Sequence, residues 1–552
     1  MEFPENLKDP KQWVYRGEGG ATIVVASKLE DIVLRLKKTS VGSFFNASEP
    51  PTKYLPSIVK KNHRQDEQTL NSVDFQKNVF QPLMGCDYVR IGSLVKIPVG
   101  FLTEINRLCL PNRPLHRLDK VIDLESNVGV FMPDFCFLQK KPGTSVSPLT
   151  KSRTNKQANH TNVSKGSPTF CVEIKPKCGY LPESPFISSE HNIKYTVCHY
   201  CMLQKLKVKE GKYSRESCYC PLDLFSEDTD RVFFALKSLV RDPQNNLRVF
   251  KDGSLIFSEE LVEVFLNSKG AMCSTKFLEN ALHGLSKSSS SACCTGQGPN
   301  SCCLGPNCRH LLEILLQIFV HDSSVTLSNV SATVVNHFSH QKCKKSKYEP
   351  DLIHQANEKI KQLTFQGKGV LQKLLAIQQL DSLDIEALHC LYSKVMKCFS
   401  KQPKLRENLG VDGHYDWDIW KSAVGASKAS LDGFKVEKKD YKILHESVNE
   451  SSIRLCRDIV EDRVSLEDDS VAFNFAILKI FQFLIASTAK DCSIMITFQK
   501  CFDPPFDSHW IKEISSGDLY CYNIDLVDLD PKEFDRVPKY FKDSVRAVQN
   551  YI

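Results

Sequence analysis

Long apolar runs are scarce in this chain, and neither sign of charge dominates. The most apolar stretch, Val471 to Ala486, is interrupted by Asn474, Lys479 and Gln482. It reads as too short and too polar for a membrane span, and as a buried helix instead. The start, Met1-Glu2-Phe3-Pro4, is acidic and lacks the pattern of a secretory signal. Cysteine, at 22 of 552 residues, is too sparse for a disulfide scaffold. Reduced thiols and a cytoplasmic and nuclear location are therefore expected. The net charge of +7 and pI of about 8.4 are only mildly basic. That balance suits an anionic ligand and does not by itself point to nucleic acid.

What is present is a globular composition, 41% hydrophobic and 25% charged. The length suffices for roughly two to four ordinary domains, or for one large two-lobed enzyme. The most informative stretch is Phe170-Cys171-Val172-Glu173-Ile174-Lys175-Pro176-Lys177-Cys178-Gly179. Alternation puts Phe170, Val172 and Ile174 on one side of a strand and Glu173, Lys175 and Lys177 on the other. Pro176 ends ladder pairing and Gly179 permits a sharp turn. One carboxylate and two ammonium groups are thus presented where a strand opens into a loop. Two readings stand, a site built on a rigid strand end and a solvated edge blunted by lysines.

Upstream, Trp13 to Ala26 reads as a hairpin around Gly17-Glu18-Gly19-Gly20-Ala21, followed by a strand Ile32–Leu36 that carries Arg35. A glycine-rich hairpin next to a strand cation is how kinase-like folds cover nucleotide phosphates, although plain hairpins share the pattern. Residues 72–81 are expected to be helical and Tyr88 to Val95 a strand. Arg113-Pro114-Leu115-His116-Arg117 is a basic turn, and Val128 to Phe135 is a strand entering a hinge at Asp134. The Lys/Ser/Thr/Asn-rich run 140–167 is expected to be a disordered loop.

Further on, Asn192 to Lys209 and Asp230 to Val240 have helical spacing. Gln244-Asn245-Asn246 then leads into a strand. Val370 to Lys397 reads as two helices joined near Asp381-Ser382-Leu383-Asp384. The apolar helix runs into Asp491 and the strand Ser493 to Phe498. A last strand, Tyr520 to Val527, ends at Asp528-Leu529-Asp530-Pro531-Lys532. Lys532, Arg536 and Tyr540 are spaced to share one helix face. The Ser/Cys/Gly/Pro stretch 287–310 offers Cys302, Cys303, Cys308 and His310 as zinc ligands, with a flexible insert as the alternative. A second Cys/His group, His191, Cys198, His199, Cys201, Cys218 and Cys220, competes with it.

Taken together, these motifs resemble the inositol-pentakisphosphate 2-kinases. The resemblance is carried by Tyr15 to Ala21, Arg113-Pro114-Leu115, Glu173 to Gly179, Pro221 to Ser226 and Pro243 to Phe250. It continues through Leu380 to Glu386, Ala489 to Ile496 and Asp528 to Tyr540. It implies an α+β, two-lobed fold distantly like protein kinases, with an enlarged C-terminal lobe for the inositide. The lobes would be 1–135 and 170–552, joined by the basic loop 136–169. It also implies ATP and Mg²⁺ as cofactors and inositol pentakisphosphate as acceptor; a monomer without membrane insertion or a nucleic-acid partner is expected.

Carried over by residue, Gly17, Glu18, Gly19, Gly20, Ala21, Arg35, Asp134 and Glu173 look like nucleotide contacts. Lys175 looks placed between the γ-phosphate and the acceptor. Arg117, Lys177, Lys207, Asn246, Lys532, Arg536 and Tyr540, with Lys175, look like the inositide clamp. Asp491 looks like a general base or second metal ligand, and Asp528 like the main magnesium ligand. Two departures are visible: Leu203 replaces a histidine that some members carry, and no zinc site of the plant kind follows Lys397.

The chemistry agrees with that list. Five phosphate monoesters carry roughly −7.5 to −10 charges at neutral pH. Arg117, Lys175, Lys177, Lys207, Lys532 and Arg536 supply cations on the scale required. A non-catalytic inositide-binding scaffold is the alternative. A nucleic-acid binder would interleave basic residues with aromatics, which the run 140–165 does not.

Overall fold

A computed structural model describes residues 1–40, 63–139, 167–269, 273–285, 304–324, 341–345, 347, 369–413, 415–424, 450–504 and 508–552. Residues 140–166 of the expected loop 140–167 and the cysteines at 293, 294, 302 and 303 lie outside them.

The fold is α+β and holds two six-stranded antiparallel sheets. The first is built from β1 (Trp13–Glu18), β2 (Thr22–Ser27), β3 (Ile32–Ser40), β4 (Ser93–Lys96), β5 (Lys120–Ile122) and β6 (Val128–Pro133). Its order is β1-β2-β3-β6-β4, with β5 on the end of β3. The apolar side chains of Trp13, Ile23, Val25, Leu34, Leu36 and Phe131 close one core over the helix Phe101–Cys109.

The second sheet is built from β7 (Thr169–Ile174), β8 (Leu247–Lys251), β9 (Ser254–Phe257), β10 (Ser493–Cys501), β11 (His509–Lys512) and β12 (Leu519–Val527), in the order β11-β12-β10-β7-β8-β9. All six residues of β7 are buried, and the strand is paired on both sides. The reading of this stretch as a solvated edge is thereby overturned: the alternation of charge marks where the strand ends, not which face is wet.

Behind this sheet the helix Ser470–Ala489 forms the centre of the larger core. At 20 residues it is long and apolar enough to cross a membrane, but 94% of its most apolar window is covered by protein. The expectation that the stretch is too short is corrected; burial inside the fold is what accounts for its apolarity.

Two other expectations also change. Of the stretch 88–95 only residues 93–95 are strand, within β4 (Ser93–Lys96). The last helix begins at Val537, after a 3₁₀ turn Phe534–Arg536, so Lys532 is in the preceding loop and not on a helix face with Tyr540. Pro531 and Pro538, the latter at the second helical position, are compatible with this late start. A small cluster of Phe135, Cys136, Cys171, Phe250 and Met495 packs the chain leaving β6 onto the second sheet.

Candidate active site

Four adjacent strands of the second sheet stop along one line. Ile174 of β7 faces both Ile494 of β10 and Leu247 of β8, while Ser493 of β10 faces Val527 of β12. The residues just beyond these ends are Lys175, Asn246, Asp491 and Asp528. Positions more than 350 residues apart in sequence therefore meet at one rim: Lys175 Nζ is 3.4 Å from Asp528 Oδ2. Lys177 Nζ and Lys532 Nζ approach the two oxygens of Asp491 at 3.4 and 2.9 Å. The backbone N–H of Lys175 donates to the Asn246 carbonyl at 2.9 Å, fixing the exit of β7.

Backbone geometry at the rim is unusual. Lys177 and Asp528 both have left-handed φ, 63° and 62°, a conformation that side chains with a Cβ adopt only when their surroundings impose it. At Gly179, a Cβ would lie 2.2 Å from the Phe225 ring, so the loop after β7 can pass this aromatic only as glycine.

The charges tune one another. Burial works against the ionised form of Asp491, but Lys532 and Lys177 outweigh it and hold its pKa below the usual carboxylate value. Burial likewise opposes charge on Lys175, and Asp528, Glu173 and Asp491 outweigh it, so its pKa is raised. Lys177 and Lys207 go the other way. Burial lowers both, and a neighbouring lysine adds to the effect in each case. Tyr540 is raised by burial despite Lys532 and Arg536 nearby. Lys532, Arg536, Tyr540 and Asp491 thus share one electrostatic neighbourhood even though no single helix carries them.

From the first sheet, Arg35 reaches the same rim. Its guanidinium is 2.5 Å from Asp530 and 4.0 Å from Asp528. The turn Gly19–Ala21 lies between β1 and β2, and a Cβ at Gly17 or Gly20 would meet nothing within 4 Å, so that face is open. Glu18 belongs to this loop in sequence, but its side chain is turned inward. It accepts a two-pronged pair from Arg113 at 2.8 and 2.9 Å and a further bond from Lys38, with all three side chains buried. Arg113 also donates to the carbonyls of Arg117 and Lys120. Glu18 therefore anchors the loop to the turn that bears Arg117. The Asp134 carboxylate is similarly engaged by Arg16 and by the Cys136 amide. Glu173 accepts from Ser493 Oγ at 2.9 Å and faces Arg248 at 3.6 Å.

The chain matches the family model described as inositol-pentakisphosphate 2-kinase over residues 15–545. A zebrafish (Danio rerio) inositol-pentakisphosphate 2-kinase is 31% identical, over 99% of this chain and 94% of its own length. The chain belongs to the inositol-pentakisphosphate 2-kinase family. That membership makes it an enzyme, a kinase. An Arabidopsis thaliana inositol-pentakisphosphate 2-kinase is 24% identical over 100% of this chain and 95% of its own length. One from Oryza sativa subsp. indica is 26% identical over 100% and 96%.

Three residues of this family member's rim escaped the sequence reading. Arg248 of β8 faces Glu173 and adds to the field around Lys175. A cation inside an otherwise apolar strand, Leu247-Arg248-Val249-Phe250, was the available signal. Asp530 pairs with Arg35 and accepts from Ser72 Oγ; its signal was the repeated Asp-x-Asp after β12. Gln378, buried and bonded to the backbone of Lys177 and Gly179 in the loop after β7, had no signal of its own.

Of the zinc ligands expected in 287–310, Cys308 and His310 are among the described residues. Cys308 donates to the Thr275 carbonyl at 3.3 Å, and His310 bonds Tyr520 at 3.0 Å. Cys198, Cys201, Cys220 and Cys343 are all buried, and their sulfurs lie within 4.8 Å of one another. Cys198, Cys201 and Cys220 of this group belong to the competing set read from the sequence. Cys343 is remote in sequence, and of the competing set His191 instead pairs with Glu386.

Proposed function

We propose that the chain transfers the γ-phosphate of ATP to the 2-hydroxyl of inositol pentakisphosphate, giving the hexakisphosphate and ADP. The observation that carries this reading is the line of four strand ends, where two carboxylates and three lysines meet beside Arg35. In this assignment Asp491 takes the proton of the acceptor hydroxyl, which needs a carboxylate ionised at neutral pH. Lys175 bridges donor and acceptor and offsets charge on the phosphate in flight. Lys177, Lys207, Asn246, Lys532, Arg536 and Tyr540 hold the inositide phosphates, with Arg117 closing from the first sheet. Gly17, Gly19, Gly20, Ala21 and Arg35 cover the nucleotide phosphates, and the chain around Asp134 lines the base. Arg248 joins them. Glu18 acts as the anchor of the loop.

The exposed side of Asp528, a hard oxygen donor between Lys175 and Arg35, fits a magnesium ion; as the alternative to its role as base, Asp491 would be the second oxygen donor. When bound, the ion neutralises phosphate charge. The four-cysteine group fits structural zinc, the metal suited to four clustered thiolates. It would bind Cys343 to the helix His199–Lys209, which carries Lys207. We further propose a two-lobed arrangement distantly like protein kinases, supported by the glycine-rich hairpin lying in one sheet and the carboxylates in the other. Buried free thiols, with no disulfide among the described cysteines, support a reducing compartment such as cytoplasm or nucleus.

The test is direct. Purified chain, Mg-ATP and inositol 1,3,4,5,6-pentakisphosphate are combined and the inositol product is followed by NMR. Phosphorylation at the 2-position is expected. Tight inositide binding without turnover would favour a non-catalytic scaffold instead.

A further inference from the structure

The turn after the helix Val370–Gln378 touches both segments that carry the acceptor-side charges. Gln378 is fully buried. Its side-chain oxygen accepts from the Gly179 amide at 2.8 Å. Its side-chain nitrogen donates to the Lys177 carbonyl at 2.8 Å and to the Ala489 carbonyl at 3.1 Å. One amide therefore spans the loop after β7 and the last turn of the helix Ser470–Ala489, two residues before Asp491.

The same turn repeats the contact with other groups. Asp381 Oδ2 accepts from Lys490 Nζ at 2.6 Å, and the Asp381 carbonyl accepts from Tyr180 Oη at 3.0 Å. Residues 378 and 381 thus grip 177–180 on one side and 489–490 on the other. These two segments present Lys177 and Asp491, whose charged atoms stand 3.4 Å apart.

We propose that Gln378 is a positioning residue for phosphoryl transfer: it fixes the separation of Lys177 and Asp491, and so the placement of the acceptor hydroxyl. The inference rests on the kinase reading above. Gln378 acts through the backbone: it binds the Lys177 carbonyl, and it shares the Ala489 carbonyl with the Cys492 thiol, which lies 3.4 Å from it. The physical need is clear at Lys177. Its left-handed φ is held against ordinary preference, and the Gln378 amide bonds both the carbonyl of that residue and the N–H of Gly179. Misplacement by about an ångström of groups that align reactants can cost on the order of a hundredfold in rate.

No conservative replacement reproduces the contacts. Methionine has the length without the hydrogen bonds, glutamate lacks the donors, and asparagine is one methylene short. The experiment uses the full chain and compares wild type, Gln378→Met, Lys177→Met and the double variant. Readouts are kcat, both KM values and melting temperature, with active fraction titrated.

Gln378→Met is expected to lower kcat/KM for the inositide on the order of a hundredfold while KM for ATP stays within about twofold. In the Lys177→Met background the same change should cost less than about threefold more, because the pair it sets is already gone. Should Gln378→Met fail to fold, Gln378→Asn carries the same cycle. Effects that multiply in the double variant, or a folded Gln378 variant with wild-type inositide kinetics, would overturn the proposal. A wild-type chain without turnover would instead remove the kinase reading itself, so the two failures are distinguishable.

Discussion

At the scale of single residues, transfer depends on charges gathered at one rim, with the lysines largely covered and the carboxylates partly exposed. Lys175→Met and Asp528→Asn should each lower kcat by about a hundred- to a thousandfold, since each removes a preorganised group from the reacting centre. Circular dichroism and melting temperature should stay near wild type, because Asp528 is partly exposed and neither residue builds the core. The depressed pKa of Lys207, caused by burial with Lys177 adding to it, has a pH consequence. A lysine whose pKa is lowered loses its charge earlier as pH rises. KM for the inositide should therefore climb on the alkaline side before ordinary lysines titrate, and Lys207→Met should flatten that rise. A KM profile against pH checks it. Most of these residues were legible in the sequence because charge next to a strand end stands out. Arg248, Asp530 and Gln378 were not, since their importance lies in partners that only the folded chain brings near.

Individual elements explain why the rim is where it is. β7 stops because Pro176 has no N–H for the ladder, and the loop beyond it is forced past Phe225 at Gly179. A Gly179→Ala change should cost about 1–3 kcal/mol through overpacking and lower activity by displacing Lys177, which denaturant titration beside a turnover assay would show. The hairpin, the helix Thr229–Arg241 and the pair of helices around residues 381–384 follow from local pattern, and the sequence reading placed them close to their observed bounds. The interior position of β7 did not follow, because lysines just past a strand end look like lysines on an edge. The late start of the last helix was hidden because the spacing of Lys532, Arg536 and Tyr540 suits a helix, while the charges converge through a loop.

On the scale of the whole molecule, two sheets supply opposite halves of one charged rim, Arg35 from the first meeting Asp528 and Asp530 beyond the second. The α+β class was readable from mixed periodicities. The pairing of β7 with both β8 and β10 was not, because separations of 73 to 81 residues to β8 and 320 to 330 residues to β10 leave no local trace. The four-cysteine group spans residues 198–343 in the same way. If it holds zinc, the purified chain should release about one equivalent on thiol oxidation, and Cys343→Ser should abolish that release and lower the melting temperature. Absence of metal in the freshly purified chain would contradict the assignment.

The central claim is that the strand-end carboxylates and Lys175 perform transfer rather than merely bind anions. Single-turnover transfer from Mg-ATP should be followed in Asp528→Asn and Lys175→Met while inositide affinity is measured calorimetrically on the same samples. Rates about a hundred- to a thousandfold below wild type are expected in both variants, with inositide affinity for Asp528→Asn within about threefold of wild type. Folded variants that transfer phosphate at near wild-type rates would contradict it.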